Sequence, residues 1–220
     1  MRLAKHGHAC VRLEKDGRVL VIDPGTFSDV ETAVPGAAAI LVTHEHPDHI
    51  DADRVLPLLA ADAAAVLYAP ATVADRLRHH AAAGDAAGRI HAVEPDGAFE
   101  VAGFRIRTFG GQHALIHPRI PMVANIGYLV DERVYHPGDS FTVPHGAAVE
   151  TLLVPAHAPW SKTGEVIDFV VSVRAEAAIP IHDGLLNDVG LRLVDGHLSR
   201  IGGLHGTEYV RLADGESREV

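Results

Sequence analysis

The chain has 220 residues, a formal net charge of −10 and one cysteine. That is enough for one large domain with a sizeable buried core, and the lone Cys10 rules out an internal disulfide framework. The basic residues are scattered rather than clustered, which argues against nucleic acid or an anionic membrane as partner, and no segment reaches the roughly 18 apolar residues of a membrane span.

In chain order, residues 9–14 and 18–23 are apolar runs joined by Lys15-Asp16-Gly17, which predicts a β-hairpin. Cys10 within it reads as a small buried hydrophobe. The apolar run 37–42 leads into a histidine-rich stretch. Alanine- and leucine-rich segments predict helices over 53–61 and 71–82, the second followed by a Gly-containing loop over 82–88. Strands are predicted over 66–69, 89–93, 99–108, 126–130, 133–136, 151–154 and 177–181. Helices are predicted over 164–174, with Val166, Val170 and Val173 on one face, and over 185–194. Strands alternating with helices indicate an α/β class with layered helices and sheet, organised as one domain over 1–220. Residues 1–8 carry no apolar leader core, so the expectation is a soluble cytoplasmic protein.

The stretch Thr43-His44-Glu45-His46-Pro47-Asp48-His49 carries the chemistry. In an extended segment, side chains two apart point the same way, so His44 and His46 can face one metal from the same side. Asp48 and His49 follow at a turn and can face a second metal. Imidazole and carboxylate suit zinc, iron or manganese. Other predicted strands also end in ligand-capable residues: Asp23, His113 after Gly110-Gly111, Asp139, His157 and His182. In open α/β sheets, sites form beyond the carboxyl ends of strands, so these residues could converge on one edge. His117 competes with His113 for the same position.

His44-x-His46-x-Asp48-His49 after a strand, followed by isolated His113, Asp139 and His182, resembles the metallo-β-lactamase fold superfamily. Gly7-His8-Ala9 and Ile22-Asp23-Pro24-Gly25 look most like its L-ascorbate-6-phosphate lactonase-like branch. The resemblance implies a four-layer αββα sandwich and a binuclear hydrolase with a bridging hydroxide. It implies that His44, His46 and His113 bind one ion, that Asp48, His49 and His182 bind the other, and that Asp139 bridges them. Zinc is the favoured metal, with manganese or iron as alternatives. Asp23 would orient a ligand from outside the coordination shell. Asp48 would also steer a proton, and His157 or His117 would protonate the leaving group.

The implied substrate is a small molecule, a lactone or other ester that could be anionic; a phosphodiesterase or phospholipase and a mononuclear iron sulfur-compound oxidase are the alternatives. The chain lacks the C-terminal helical domain of a glyoxalase II-like enzyme and the RNA-binding insertion of the tRNase Z kind. Cys10 precedes the histidine cluster and so is not the zinc-ligand cysteine of antibiotic-hydrolysing members. His8, His117, Arg119, Trp160 and Lys162 are expected around the pocket or just outside the metal ligands, with Glu165, Asn187 and Asp188 as rim candidates. His136, His145 and His205 read as turn or surface residues.

Overall fold

A computed structural model describes residues 1–220. Its strands are β1 (Arg2–Lys5), β2 (Val11–Lys15), β3 (Arg18–Ile22), β4 (Ala39–Leu41), β5 (Val66–Pro70), β6 (Ile90–Val93), β7 (Ala98–Val101), β8 (Phe104–Gly110), β9 (Ile126–Val130), β10 (Val134–His136), β11 (Thr151–Pro155), β12 (Ala177–Ile181), β13 (Glu208–Tyr209) and β14 (Ser217–Glu219). Its helices are α1 (Val30–Ala33), α2 (Ala52–Ala61), α3 (Ala71–Arg78), α4 (Thr163–Val173) and α5 (Asp188–Leu204), with a 3-10 turn at Gly84–Arg89.

The strands form two seven-stranded sheets, ordered β14-β1-β2-β3-β4-β5-β6 and β13-β12-β11-β10-β9-β8-β7. Each sheet is antiparallel at one end and parallel at the other, with β3 to β6 parallel in the first and β10 to β13 parallel in the second. Period-two alternation splits each strand between two cores. Leu20, Ile22 and Leu41 meet Phe104, Leu153 and Ile179 between the sheets. Val21, Ile40 and Leu67 turn outward against Val55, Leu59 and Val73 of α2 and α3, in a cluster that also holds Cys10. Leu152, Val154 and Ala178 turn outward against Val166, Phe169 and Leu198 of α4 and α5. Both faces of both sheets are covered, which explains why the central strands read as continuous apolar runs. The result is the expected αββα sandwich. Burial pushes the Cys10 thiol pKa up, consistent with an inert core residue.

Several element boundaries differ from the sequence reading. The strand predicted over 99–108 is a hairpin, β7 and β8, turning at Ala102-Gly103, both with positive φ. The helix predicted from 185 starts at Asp188, because the Asn187 side chain accepts the Val189 and Gly190 amides and caps it there; it then runs on to Leu204. The helix predicted to 82 ends at Arg78, and the loop expected over 82–88 holds the 3-10 turn. No helix is long and apolar enough to cross a membrane.

Candidate metal centre

The predicted strand ends meet along one edge of the sandwich. Asp23 follows β3, residues 43–49 follow β4, His113 follows β8, Asp139 follows β10 and His182 follows β12. The amides of His49 and Ile50 both donate to His46 O, at 3.0 and 3.1 Å, closing the turn that swings Asp48 and His49 inward. Two glycines permit this packing. A Cβ on Gly25 would lie 1.9 Å from Asp48 O, and one on Gly138 (φ +63°) would lie 2.3 Å from Asn125 Oδ1.

Two groups of potential ligands result: His44, His46, His113 and Asp139 in one, and His8, Asp48, His49 and His182 in the other, with the ligand atoms of each group within 4.8 Å of one another. His44 Nε2 and His46 Nδ1 stand 3.1 Å apart. Asp139 faces both groups. Its Oδ1 is 3.1 Å from His49 Nε2, and its Oδ2 is 3.3 Å from His113 Nε2 and 3.1 Å from His182 Nε2. Trp160 Nε1 donates to the same Oδ2 at 2.9 Å.

The hydrogen bonds behind the rings decide which nitrogen is available. His49 Nδ1 donates to Asp23 Oδ2 at 2.6 Å, His113 Nδ1 to Ala114 O at 2.6 Å, and His182 Nδ1 to His157 O at 2.7 Å. Thr43 Oγ1 donates to Asp23 Oδ2 at 2.6 Å and so is free to accept from His44 Nδ1 at 3.0 Å. Each of these rings, when neutral, therefore presents an Nε2 lone pair to the centre. His49 Nε2, His113 Nε2, His182 Nε2 and Asp139 Oδ1 are buried and have no hydrogen-bond partner. Lone pairs converging on one another in a buried site require a cation between them. The donor set, imidazole nitrogens with carboxylate oxygens, fits a divalent transition metal.

The electrostatics agree. Burial opposes charging His49, but the charges of Asp139 and Asp23 and their hydrogen bonds lift its pKa well above the ordinary value. Burial likewise opposes charge on His182, yet hydrogen bonds to Asp139 and Asp48 raise it to about 9. Burial disfavours charge on Asp139 too, but the surrounding His49, His113 and His182 hold its carboxyl well below the usual range. Burial and the charge of His49 push His44 well below its ordinary value. The neighbouring carboxylates thus favour a proton on His49 and His182 but not on His44.

Asp23 is fully buried and accepts from Thr43 N, Thr43 Oγ1 and His49 Nδ1. His8, expected at the periphery, stands inside the second group, with Nε2 3.3 Å from Asp48 Oδ2. His117 is exposed and accepts from its own loop at Arg119 N, so the structure brings His113, not His117, to the centre. Arg119 is exposed as well. Lys162 does not join the pocket; its side chain is 85% exposed and pairs with Glu165 at the start of α4. His157 is half-buried on the loop that carries Trp160, and its carbonyl rather than its ring contacts His182. Asn187 and Asp188 begin α5. His136, expected at a turn or the surface, is instead fully buried, with Nε2 donating to Ala9 O and 3.7 Å from Asp23 Oδ2, and it joins neither ligand group. Sequence reasoning missed Thr43, which links Asp23 to His44; its position directly before His44 is the only signal. It also missed Lys5 and Arg211, which both bind Asp183 beside His182.

The sequence matches the family described as "Beta-lactamase superfamily domain" over residues 2–182. It is 40% identical over 191 residues to Protein Rv0786c of Mycobacterium tuberculosis, covering 84% of this chain and 85% of that one. It is 31% identical over 196 residues to a UPF0173 protein of Pyrococcus furiosus, covering 86% of each. Igni18, a metallo hydrolase from Ignicoccus hospitalis, has the same fold with a TM-score of 0.73 at 17% identity, covering 100% of this chain and 98% of that chain. With both sheets, the candidate ligands at the strand ends and these relatives in agreement, the chain belongs to the beta-lactamase superfamily and has the metallo-β-lactamase fold.

Proposed function

We propose that the protein is a metal-dependent hydrolase working through a binuclear centre on a small-molecule ester, a lactone in the first instance. The observation that carries this reading is that Asp139 faces both ligand groups, with its Oδ2 3.3 Å from His113 Nε2 of one group and its Oδ1 3.1 Å from His49 Nε2 of the other. In this reading His44, His46 and His113 hold one ion, Asp48, His49 and His182 hold the other, and Asp139 serves both. Bound divalent ions would polarise a substrate oxygen and make a water acidic enough to attack near neutral pH.

The chain's own residues do the rest. Asp23 and Thr43 fix the tautomers of His49 and His44, so their Nε2 atoms stay available. Asp48, partly open to solvent and next to both His8 and His182, would steer the proton released by the attacking water. His157, on the adjoining loop, is the candidate donor to the leaving group. Ligand types complete in both groups favour two ions over the single iron of an oxidase.

Elemental analysis of the purified protein, followed by a panel of lactones, phosphomonoesters and phosphodiesters, tests the reading. Two zinc or manganese ions per chain with lactone or ester turnover is the expected outcome. Turnover of phosphodiesters alone would move the substrate to the phosphodiesterase class. One iron per chain with oxygen consumption would replace hydrolysis by oxidation.

A further inference from the structure

His8 faces Asp48, His49 and His182, yet its hydrogen bonding runs opposite to that of its neighbours. Its Nδ1 accepts from the Gly184 amide at 3.1 Å. A backbone amide can only donate, so a neutral His8 ring carries its proton on Nε2. At His49, His113 and His182 the partner of Nδ1 is an acceptor, so the proton sits on Nδ1 and Nε2 is bare. His136, a buried histidine outside both groups, shows the His8 polarity: Nδ1 accepts from Gly138 N and Nε2 donates to Ala9 O. Among these five rings, the direction of the Nδ1 hydrogen bond thus separates those wired to bind metal from those wired to donate.

The His8 ring has little freedom to change this. Its side chain is fully buried, edge-on to Phe27 with centroids 5.4 Å apart and tilted over His182 with centroids 4.0 Å apart. Turning the ring over would set a carbon against the Gly184 amide and leave that N–H unpaired. A Cβ on Gly184 would stand 3.0 Å from Nδ1, so the close approach of this loop relies on glycine. The opposite side of the ring places Nε2, which has no aligned hydrogen-bond partner, 3.3 Å from Asp48 Oδ2.

We propose that His8 is a positioning residue and not a metal ligand: its Nε2–H donates to Asp48 Oδ2 and aims that carboxylate at the second ion. The proposal rests on the binuclear reading above and sharpens it. With His8 as a ligand, the second ion would be held by His8, Asp48, His49, His182 and the shared Asp139, a closed shell suited to a structural site. With His8 as a donor, four protein donors remain, and the fifth position of a five-coordinate shell is left for water or substrate.

Selective histidine 15N labelling tests the wiring directly, because two-bond proton–nitrogen spectra report which ring nitrogen is protonated. His8 is expected to show Nε2–H in the metal-free chain and after zinc is added. Protonation at Nδ1, or a metal-bound Nε2 on zinc addition, would overturn the proposal. Zinc titration of His8→Ala and His8→Gln supplies the second measurement. His8→Ala is expected to bind the second equivalent about 10–100-fold more weakly, with the first unchanged. His8→Gln, which keeps an N–H at similar reach, is expected to restore most of that loss; a Gln variant as weak as the Ala variant would count against donation. If the unmodified chain binds only one ion, the binuclear reading fails, while the metal-free spectrum still reports the wiring of His8 by itself.

Discussion

Trp160 Nε1 donates to Asp139 Oδ2 at 2.9 Å, the same oxygen that stands 3.1 Å from His182 Nε2 and 3.3 Å from His113 Nε2. An uncharged donor on this oxygen fixes the carboxylate plane without adding charge, leaving Oδ1 toward His49. Trp160→Phe keeps an aromatic ring against Phe141, whose centroid is 5.2 Å away, and removes only the N–H. Zinc affinity is expected to fall about tenfold or more. Competition against a chelator measures it, with the urea midpoint of the metal-free protein unchanged. Unaltered affinity would show that the indole packs beside the site without orienting it.

Asp23 makes a different contribution, because its charge is fully buried and serves backbone, hydroxyl and imidazole at once. In Asp23→Asn an NH2 replaces one acceptor oxygen and meets a Thr43 or His49 donor. A buried network broken on one side is expected to cost about 3 kcal/mol. Urea unfolding of the metal-free protein isolates this cost from any change in metal binding. A loss that appears only with metal present would place Asp23's role in coordination alone.

If the centre is binuclear as proposed, substitutions at His46 and Asp139 should differ in how much metal they remove. His46 belongs to one ligand group and is half-exposed, whereas Asp139 is buried between both groups. His46→Ala is expected to lose one equivalent of metal and Asp139→Asn both, with turnover lost in each. Elemental analysis after dialysis gives the count. Retained activity in a fully metal-free Asp139 variant would remove metal from the chemistry.

Most of the side chains that gather at the candidate centre were legible because their signals are local or punctuated. The alternation in His44-x-His46 and the ligand-capable residues after successive strands follow from strand geometry and from where α/β sheets build sites. His8 was placed only loosely, because what defines it is a hydrogen bond to Gly184, 176 residues away. The hairpin at Ala102-Gly103 was missed because alanine at φ +51° is an unusual turn residue. β1 and β14 pair the two ends of the chain, a non-local ladder with no short-range signal. The choice between His113 and His117 needed the third dimension, since both follow the same strand and only one lies beside Asp139.

His182 is held in place by a chain of hydrogen bonds and ion pairs behind it. Its φ of +57° is unfavourable for a residue with a Cβ, so its neighbours must hold it there. The His182 amide donates to His8 O at 2.7 Å, and the adjoining Asp183 is bound by Lys5 at 2.7 Å and by Arg211. Arg211 is in turn fixed by Asp195, at 2.6 and 2.7 Å. Burial raises the Asp195 pKa, but hydrogen bonds from Arg211 and Tyr209 outweigh it and hold the carboxyl below its usual value. A depressed folded pKa means the folded state binds the proton less readily than the unfolded state. The stabilisation is therefore fully present above the unfolded value of about 3.9 and is lost as the pH falls through the folded one. Asp195→Asn is expected to be about 1 kcal/mol less stable than the unmodified chain at pH 7. That gap should hold down to about pH 5 and narrow below about pH 4, as protonation removes the same charge from the unmodified chain. Urea unfolding of both proteins across this range provides the comparison. A gap that stays constant into acid would mean that Asp195 holds Arg211 by packing and not by charge.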